Sequence, residues 1–130
     1  MNLPVTSFTA LPLGMLMIGL AYRVATLRIR NKIGIGVGSN RTLAKAREAH
    51  GNAVENIPLM LFLLAIAELQ NANTWLLAGL AGVFVIARLM NASGVSQHTG
   101  RSFGRFYGTL LSWFVTIFLG LLNVWLNLAS

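Results

Sequence analysis

The chain has 130 residues, of which 55% are hydrophobic and 10% are charged, and its formal net charge is +7. The length suits one domain, and the composition is too apolar for a soluble one. The absence of cysteine excludes disulfides and thiol catalysis by the protein itself. Two histidines, far apart in the sequence, are too few to predict a metal site. The positions of the basic residues, described below, explain the net charge without a nucleic-acid partner.

Four hydrophobic stretches follow one another along the chain. Each is long enough for a membrane-spanning helix, which needs about 20 mostly apolar residues. The first is uncharged from residue 2 to residue 22 and lacks the basic start and small-residue cleavage site of a signal peptide, so we interpret it as a retained span. We predict an all-α, four-helix membrane bundle that forms one domain over residues 1–130. The predicted spans are residues 3–30, 41–69, 74–92 and 103–128.

The connections between the spans differ in character. Residues 34–40 are rich in glycine, but no strand is predicted before them and no Gly-Lys-Ser/Thr ends them, so we predict a flexible linker rather than a phosphate-binding loop. Ser39 or Asn40 can cap the second helix. Residues 70–73 form a tight turn, and residues 93–102 form a polar loop.

Basic residues are concentrated in two of these three connections. Seven lie between the uncharged stretch that ends at residue 22 and the apolar stretch that begins at residue 49, three lie at or between the third and fourth spans, and the turn at 70–73 has none. The positive-inside rule therefore predicts that both basic connections are cytoplasmic and that both termini are non-cytoplasmic.

The second helix carries a polar stripe. Arg41, Lys45, Glu48, Asn52 and Glu55 are spaced by four, three, four and three, which places them on one helix face. Polar side chains in a bilayer are costly unless they face the bundle interior or water. One interpretation is a structural network, in which Lys45 pairs with Glu48, Asn52 bonds a neighbour and Glu55 meets an arginine. The other is a polar pocket that opens to the cytoplasm.

Arg88 is a second polar residue in an apolar run, near the end of the third span. An arginine there commonly extends to the membrane interface. Alternatively, it turns inward and meets Glu55 or an anionic ligand. Both interpretations remain open at this point.

A family resemblance is carried by the second helix, where residues 46–59 read Ala-Arg-Glu-Ala-His-Gly-Asn-Ala-Val-Glu-Asn-Ile-Pro-Leu. The Ala-His-x-Asn-x-x-Glu pattern and the proline-containing apolar run after it resemble the second-helix signature of the MAPEG family, the membrane-associated proteins in eicosanoid and glutathione metabolism. Residues 28–32 resemble the basic end of the family's first helix. Arg88 and Arg105 resemble its arginines in the third helix and at the start of the fourth. The resemblance is to bacterial-type members and covers nearly the whole chain.

This resemblance implies a homotrimer in a bacterial inner membrane, with glutathione between adjacent subunits near the cytoplasmic face. Glutathione has two carboxylates, which arginines bind bidentately, and one ammonium, which a glutamate can accept. A free thiol has a pKa of about 8.5, and a neighbouring arginine favours the thiolate. The residues implied to hold glutathione are Arg28, Asn52, Glu55 and Arg88, with Lys45 keeping positive charge on the same stripe, and Arg105 is the implied catalytic residue beside the sulfur.

The chain departs from the family pattern at several positions. Four residues before the asparagine, the eicosanoid enzymes usually carry arginine, whereas this chain has Glu48. Arg47 is adjacent but about 100° round the helix, so it is not an obvious substitute. Asn56 and Val95 replace tyrosines of some members, and Asn91 replaces a histidine.

We therefore expect a glutathione-dependent transferase or peroxidase that acts on a small lipophilic electrophile entering from the lipid bilayer. One alternative is a non-catalytic membrane protein that keeps only the fold. Another is a proton-coupled exporter of lipophilic compounds, because small multidrug transporters also have four short helices and a membrane carboxylate. That carboxylate usually lies in the first helix without cationic neighbours. Here Glu55 lies in the second helix and basic residues approach the same face, which favours an anionic ligand.

Overall fold

The structure is a computed structural model that describes residues 2–97 and 103–130, with the side chains of residues 2–92 and 106–130. These residues form four α-helices: α1 (Pro4–Asn31), α2 (Arg41–Leu69), α3 (Thr74–Gln97) and α4 (Phe103–Ala129). All four are long and apolar enough to cross a membrane. The prediction of an all-α fold with four long apolar helices is confirmed.

Helix α3 continues past the predicted end of the third span. The sequence predicts a span to residue 92 and a polar loop over residues 93–102, but α3 ends at Gln97. Residues 93–97 contain no proline, so nothing in the sequence removes the N–H groups that continue the helix. The rest of the predicted loop, with Arg101, and the side chain of Arg105 lie outside the described residues.

Asparagine side chains fix the starts of α2 and α3. Asn40, one of the two predicted caps, accepts a hydrogen bond from the Leu43 N–H at 2.9 Å. Asn73 accepts from the N–H groups of Trp75 and Leu76 at 2.9 and 3.1 Å. Such side chains satisfy N–H groups that the first turn of a helix leaves without a partner.

The first turn of α1 is capped by a carboxylate from another helix. Glu68, near the end of α2, accepts from the N–H groups of Val5 and Thr6 at 2.8 and 2.9 Å. The first turn of α1 has no acidic residue of its own. This long-range cap ties the start of α1 to the end of α2, which fits an antiparallel helix pair.

Helix α2 packs against each of the other three helices. Its buried residues recur every three or four positions, as expected for one helix face. The alanines among them allow close approach of neighbouring helices. The buried face comprises Leu43, Ala46, Ala49, Ala53, Ile57, Met60, Leu64 and Ala67.

Helices α3 and α4 approach closely at Gly108. A Cβ atom at this position would lie 2.6 Å from the carbonyl oxygen of Ala87 and 2.9 Å from the backbone nitrogen of Asn91. Only glycine fits this contact without a shift of the backbone. The contact holds α4 against the part of α3 that carries Arg88.

Candidate functional site

A cleft with a volume of about 430 Å³ lies along the first half of α2. This volume is within the range of small-molecule sites. Two rows of residues spaced by four line it, and Val37 from the connection before α2 also borders it. The rows are Ala44, Glu48 and Asn52, and Arg47, Gly51 and Glu55.

The cleft includes part of the predicted polar stripe. Glu48, Asn52 and Glu55 line it, whereas Arg41 and Lys45 are not among its lining residues. Arg47, which lies about 100° round the helix from Glu48, also lines the cleft. Two adjacent rows contribute, so the opening is wider than one line of side chains. Gly51, between the levels of Arg47 and Glu55, has no side chain to fill it.

The predicted structural network is not formed as expected. Glu55 is exposed and, among the described residues, its carboxylate has neither a hydrogen bond nor an ion pair. Lys45 is half-buried and makes no ion pair with Glu48. Asn52 does bond a neighbour, and that neighbour is Arg88, which the sequence offers as a partner for Glu55.

Arg88 turns inward, as the second of its two interpretations predicts. It is 1% exposed. Its Nη2 donates to the Oδ1 atoms of Asn52 at 2.6 Å and Asn91 at 3.1 Å, and its Nη1 donates to Ser112 Oγ at 3.1 Å. Its Nε is buried and, among the described residues, has no hydrogen-bond partner. The guanidinium therefore contacts neutral acceptors rather than Glu55.

The neighbours of Arg88 are themselves held in place. Ser112 Oγ donates to the carbonyl oxygen of Gly108 at 2.8 Å, and Asn91 Nδ2 donates to Thr109 Oγ1 at 2.8 Å. Asn91 and Ser112 are both buried. The polar network around Arg88 therefore joins α2, α3 and α4 directly behind the cleft. We did not predict Ser112 from the sequence, although Gly108 and Ser112 mark a small and polar face, spaced by four, on an apolar helix.

Arg28 supports the connection that borders the cleft. Its Nη1 donates to the carbonyl oxygens of Gly36 at 2.8 Å and Ile33 at 3.4 Å. Gly36 and Gly38 have φ angles of +68° and +57°, which favour glycine. These turns and the Arg28 contacts place Val37 beside α2.

The predicted site residues thus fall into distinct positions. Asn52 and Glu55 share the cleft, Arg88 lies behind Asn52, and Arg28 holds the adjacent connection. Lys45 lies on α2 outside the lining. For Arg105 the structure gives the backbone of the first turn of α4 and nothing of the side chain.

Together these features define an integral membrane protein with four spanning helices and a polar cleft at one end of the bundle. The chain matches the MAPEG family over residues 6–125 and therefore belongs to that family, which confirms the resemblance seen in the second helix. It is similar to the inner membrane protein YecN from two strains of Escherichia coli. In each case the identity is 29% over 121 residues, which covers 93% of this chain and 91% of the relative.

Proposed function

We propose that this protein binds glutathione in the α2 cleft and uses its sulfur to attack or reduce a small lipophilic electrophile. One observation carries the proposal. An exposed carboxylate, Glu55, without a partner among the described residues, lies in a cleft together with the guanidinium of Arg47 and the amide of Asn52. The membership of the chain in the MAPEG family supports a glutathione-related ligand.

The cleft offers groups of the kinds that glutathione needs. Glu55 accepts the ammonium of the tripeptide, and Arg47 and Lys45 attract its carboxylates. Asn52 supplies a neutral hydrogen bond between these charges. Of the other predicted ligands, Arg88 supports Asn52, and Arg28 supports the connection before α2.

The reacting thiol must come from the ligand, because the chain contains no cysteine. In transfer, the glutathione thiol loses its proton to water, and a sulfur lone pair forms the new C–S bond. The electron pair of the broken bond departs with the leaving group or, in an epoxide, stays on oxygen, which takes up a proton. In peroxide reduction, two glutathione molecules yield the disulfide, an alcohol and water. We assign thiolate stabilisation to Arg105, as the family resemblance implies.

The four apolar helices and the inner-membrane relatives support a membrane environment. We propose a bacterial inner membrane, with the two basic connections in the cytoplasm. We also propose a homotrimer, in which a neighbouring subunit covers the open side of the cleft. The lipophilic substrate then reaches the sulfur from the bilayer.

Calorimetric titration of glutathione into the detergent-purified protein tests this proposal. We expect saturable binding to the wild type, and about tenfold or more weaker binding to Glu55→Gln, because a charge-assisted hydrogen bond is worth about 1.5–3 kcal/mol. N-acetylated glutathione, which lacks the ammonium, should bind the two proteins equally weakly.

The outcomes separate the candidate functions. The absence of glutathione binding to the folded wild type would refute the proposal. Binding without turnover of model electrophiles or hydroperoxides would leave a non-catalytic family member.

A further inference from the structure

We infer that Arg88 is a positioning residue, which fixes the orientation of the Asn52 amide so that Nδ2 is presented to the cleft as a hydrogen-bond donor. The inference rests on the proposed function for the identity of the ligand. It goes further, because it gives the buried network around Arg88 a role: the network determines where the cleft presents a hydrogen-bond donor and where it presents an acceptor.

The first step is the chemistry of the guanidinium. Arginine has five N–H donors and no acceptor. The side-chain atom of Asn52 that lies 2.6 Å from Arg88 Nη2 must therefore be the oxygen. The usual ambiguity between the two ends of an asparagine amide is removed here by the partner.

A second contact gives the same orientation independently. Asn56 Nδ2 donates to the backbone carbonyl oxygen of Asn52 at 2.7 Å, which identifies this atom of Asn56 as a nitrogen. The same nitrogen lies 3.1 Å from Asn52 Oδ1. Two donors therefore converge on Asn52 Oδ1. Asn52 Nδ2 makes no hydrogen bond to the described residues, and Asn52 lines the cleft.

The guanidinium can fix the orientation of the Asn52 amide because its other hydrogen bonds hold it in place. Its other hydrogen bonds go to Asn91 Oδ1 and Ser112 Oγ, both on buried residues. Ser112 uses its own proton on the Gly108 carbonyl oxygen, so it presents a lone pair to Arg88. The close contact at Gly108 sets the distance between α3 and α4 on which this geometry depends.

The consequence is a site with fixed polarity. Asn52 Nδ2 requires an acceptor on the ligand, such as a carboxylate or peptide carbonyl oxygen, and Glu55, three residues further along α2, requires a donor. A ligand with its ammonium next to its carboxylate, as at the γ-glutamyl end of glutathione, matches this pair in one orientation only. Arg88 contributes to recognition through Asn52, without reaching the ligand itself.

The test replaces Asn52 by aspartate, which is expected to raise the thermal stability of the protein and to lower its affinity for glutathione. Asn52→Asp gives the buried Arg88 an ionised partner, but it also places a carboxylate one turn from Glu48 and Glu55. With those two residues replaced by glutamine in both proteins compared, Asn52→Asp should raise the melting temperature by a few degrees. The same change removes the only donor of the side chain, so glutathione should bind about tenfold or more weakly, as expected for a lost hydrogen bond and a repelled carboxylate. Asn56→Asp is the control for the added charge: it places a carboxylate one turn further along without contacting Arg88, and it also removes the second donor to Asn52 Oδ1. It should not raise the melting temperature.

Each arm can overturn the inference. An unchanged or lower melting temperature on Asn52→Asp in the protein with glutamine at positions 48 and 55 would show that Asn52 Oδ1 is not held by Arg88. Wild-type affinity in Asn52→Asp would show that Nδ2 is not the donor. If the wild type itself does not bind glutathione, the proposed function fails, while the thermal comparison, which needs no ligand, still decides whether Arg88 fixes Asn52.

Discussion

Gly108 is a residue whose replacement has a predictable cost, because its missing side chain makes the α3–α4 contact possible. A Cβ would lie 2.6 Å from a backbone oxygen of α3, which cannot rotate away as a side chain can. We expect Gly108→Ala to destabilise the protein by about 1–3 kcal/mol, as overpacking does. Thermal unfolding in detergent measures this effect.

Gly120 provides the matched control on the same helix. A Cβ built there meets no atom within 4 Å, and Gly120→Ala also improves helix propensity. Its melting temperature should be equal to or above that of the wild type. Equal stability of both alanine variants would contradict the close contact at Gly108.

Arg105 is the residue on which the proposed chemistry depends. If its guanidinium stabilises the thiolate, Arg105→Ala should keep most of the glutathione affinity and lose the ultraviolet thiolate absorbance of the bound tripeptide. Conjugation with a model electrophile should slow by about a hundredfold, as is typical for loss of one positioned donor. A residue that only anchors the helix at the interface behaves differently. Its loss lowers insertion or stability, and Arg105→Lys restores them. Unchanged absorbance and turnover in Arg105→Ala would remove the catalytic assignment and make Arg101 the next candidate.

The partners of Arg88 show where reasoning from the sequence stops at this scale. Helical periodicity identifies which residues share a face, and it placed Glu48, Asn52 and Glu55 together. It does not identify which neighbouring helix lies opposite. Whether Arg88 meets Asn52 or Glu55 depends on a difference of one turn between α2 and α3, which only the packing of the two helices determines.

Among the helices, α1 is distinctive because its first turn depends on α2. The Glu68 carboxylate accepts two of its N–H groups and adds negative charge at the positive end of the helix dipole. We expect Glu68→Gln to destabilise the bundle by about 0.5–2 kcal/mol, the usual range for loss of a helix cap. In Glu68→Gln, the hydrogen-exchange rates of the Val5 and Thr6 amides should increase more than those of the rest of α1.

Glu55→Gln removes the same charge from the same helix and serves as the control. Its carboxylate is exposed, so neither global stability nor exchange at Val5 should change. Equal exchange in Glu68→Gln and the wild type would show that the cap is dispensable.

The ends of the helices were predictable to different degrees. Asn40 is a strong capping residue directly before residues 41–57, which contain no proline, so the start of α2 could be predicted from the sequence. The role of Glu68 was not, because its contacts join residues 62 and 63 positions apart. Likewise the end of α3 depends on where a polar helix stops beyond the apolar span, which hydrophobicity does not determine.

For the whole molecule, the distribution of charge predicts the orientation in the membrane. A reporter fused after Ser130 should be active outside the cytoplasm. Since the chain lacks cysteine, Ile35→Cys gives a single thiol at a side chain that is 95% exposed. In spheroplasts, whose inner membrane is intact, an impermeant maleimide should label this thiol only after the inner membrane is permeabilised. Labelling without permeabilisation would place the basic connection, and with it the cleft, outside the cytoplasm.

The proposed trimer is also a property of the whole molecule. One side of the cleft is open in a single chain, and a polar face within a bilayer favours burial against protein. Native mass spectrometry in mild detergent should show three copies. A stable monomer, or an antiparallel dimer, would favour the exporter alternative over a shared glutathione site.

The buried guanidinium of Arg88 also has a consequence for biogenesis. An arginine in a spanning helix opposes insertion, by about 2.5–3.5 kcal/mol at the centre of the helix on translocon scales and by less near its end, where Arg88 lies. Helix α3 therefore enters the bilayer most readily once α2, which is synthesised first, offers Asn52, and when α4 follows to supply Ser112. A nascent chain that ends before α4 lacks this second acceptor, as well as the partner that packs at Gly108. We expect such a truncated chain to leave α3 poorly inserted and to be degraded rapidly, so that the last helix determines whether the third remains in the membrane.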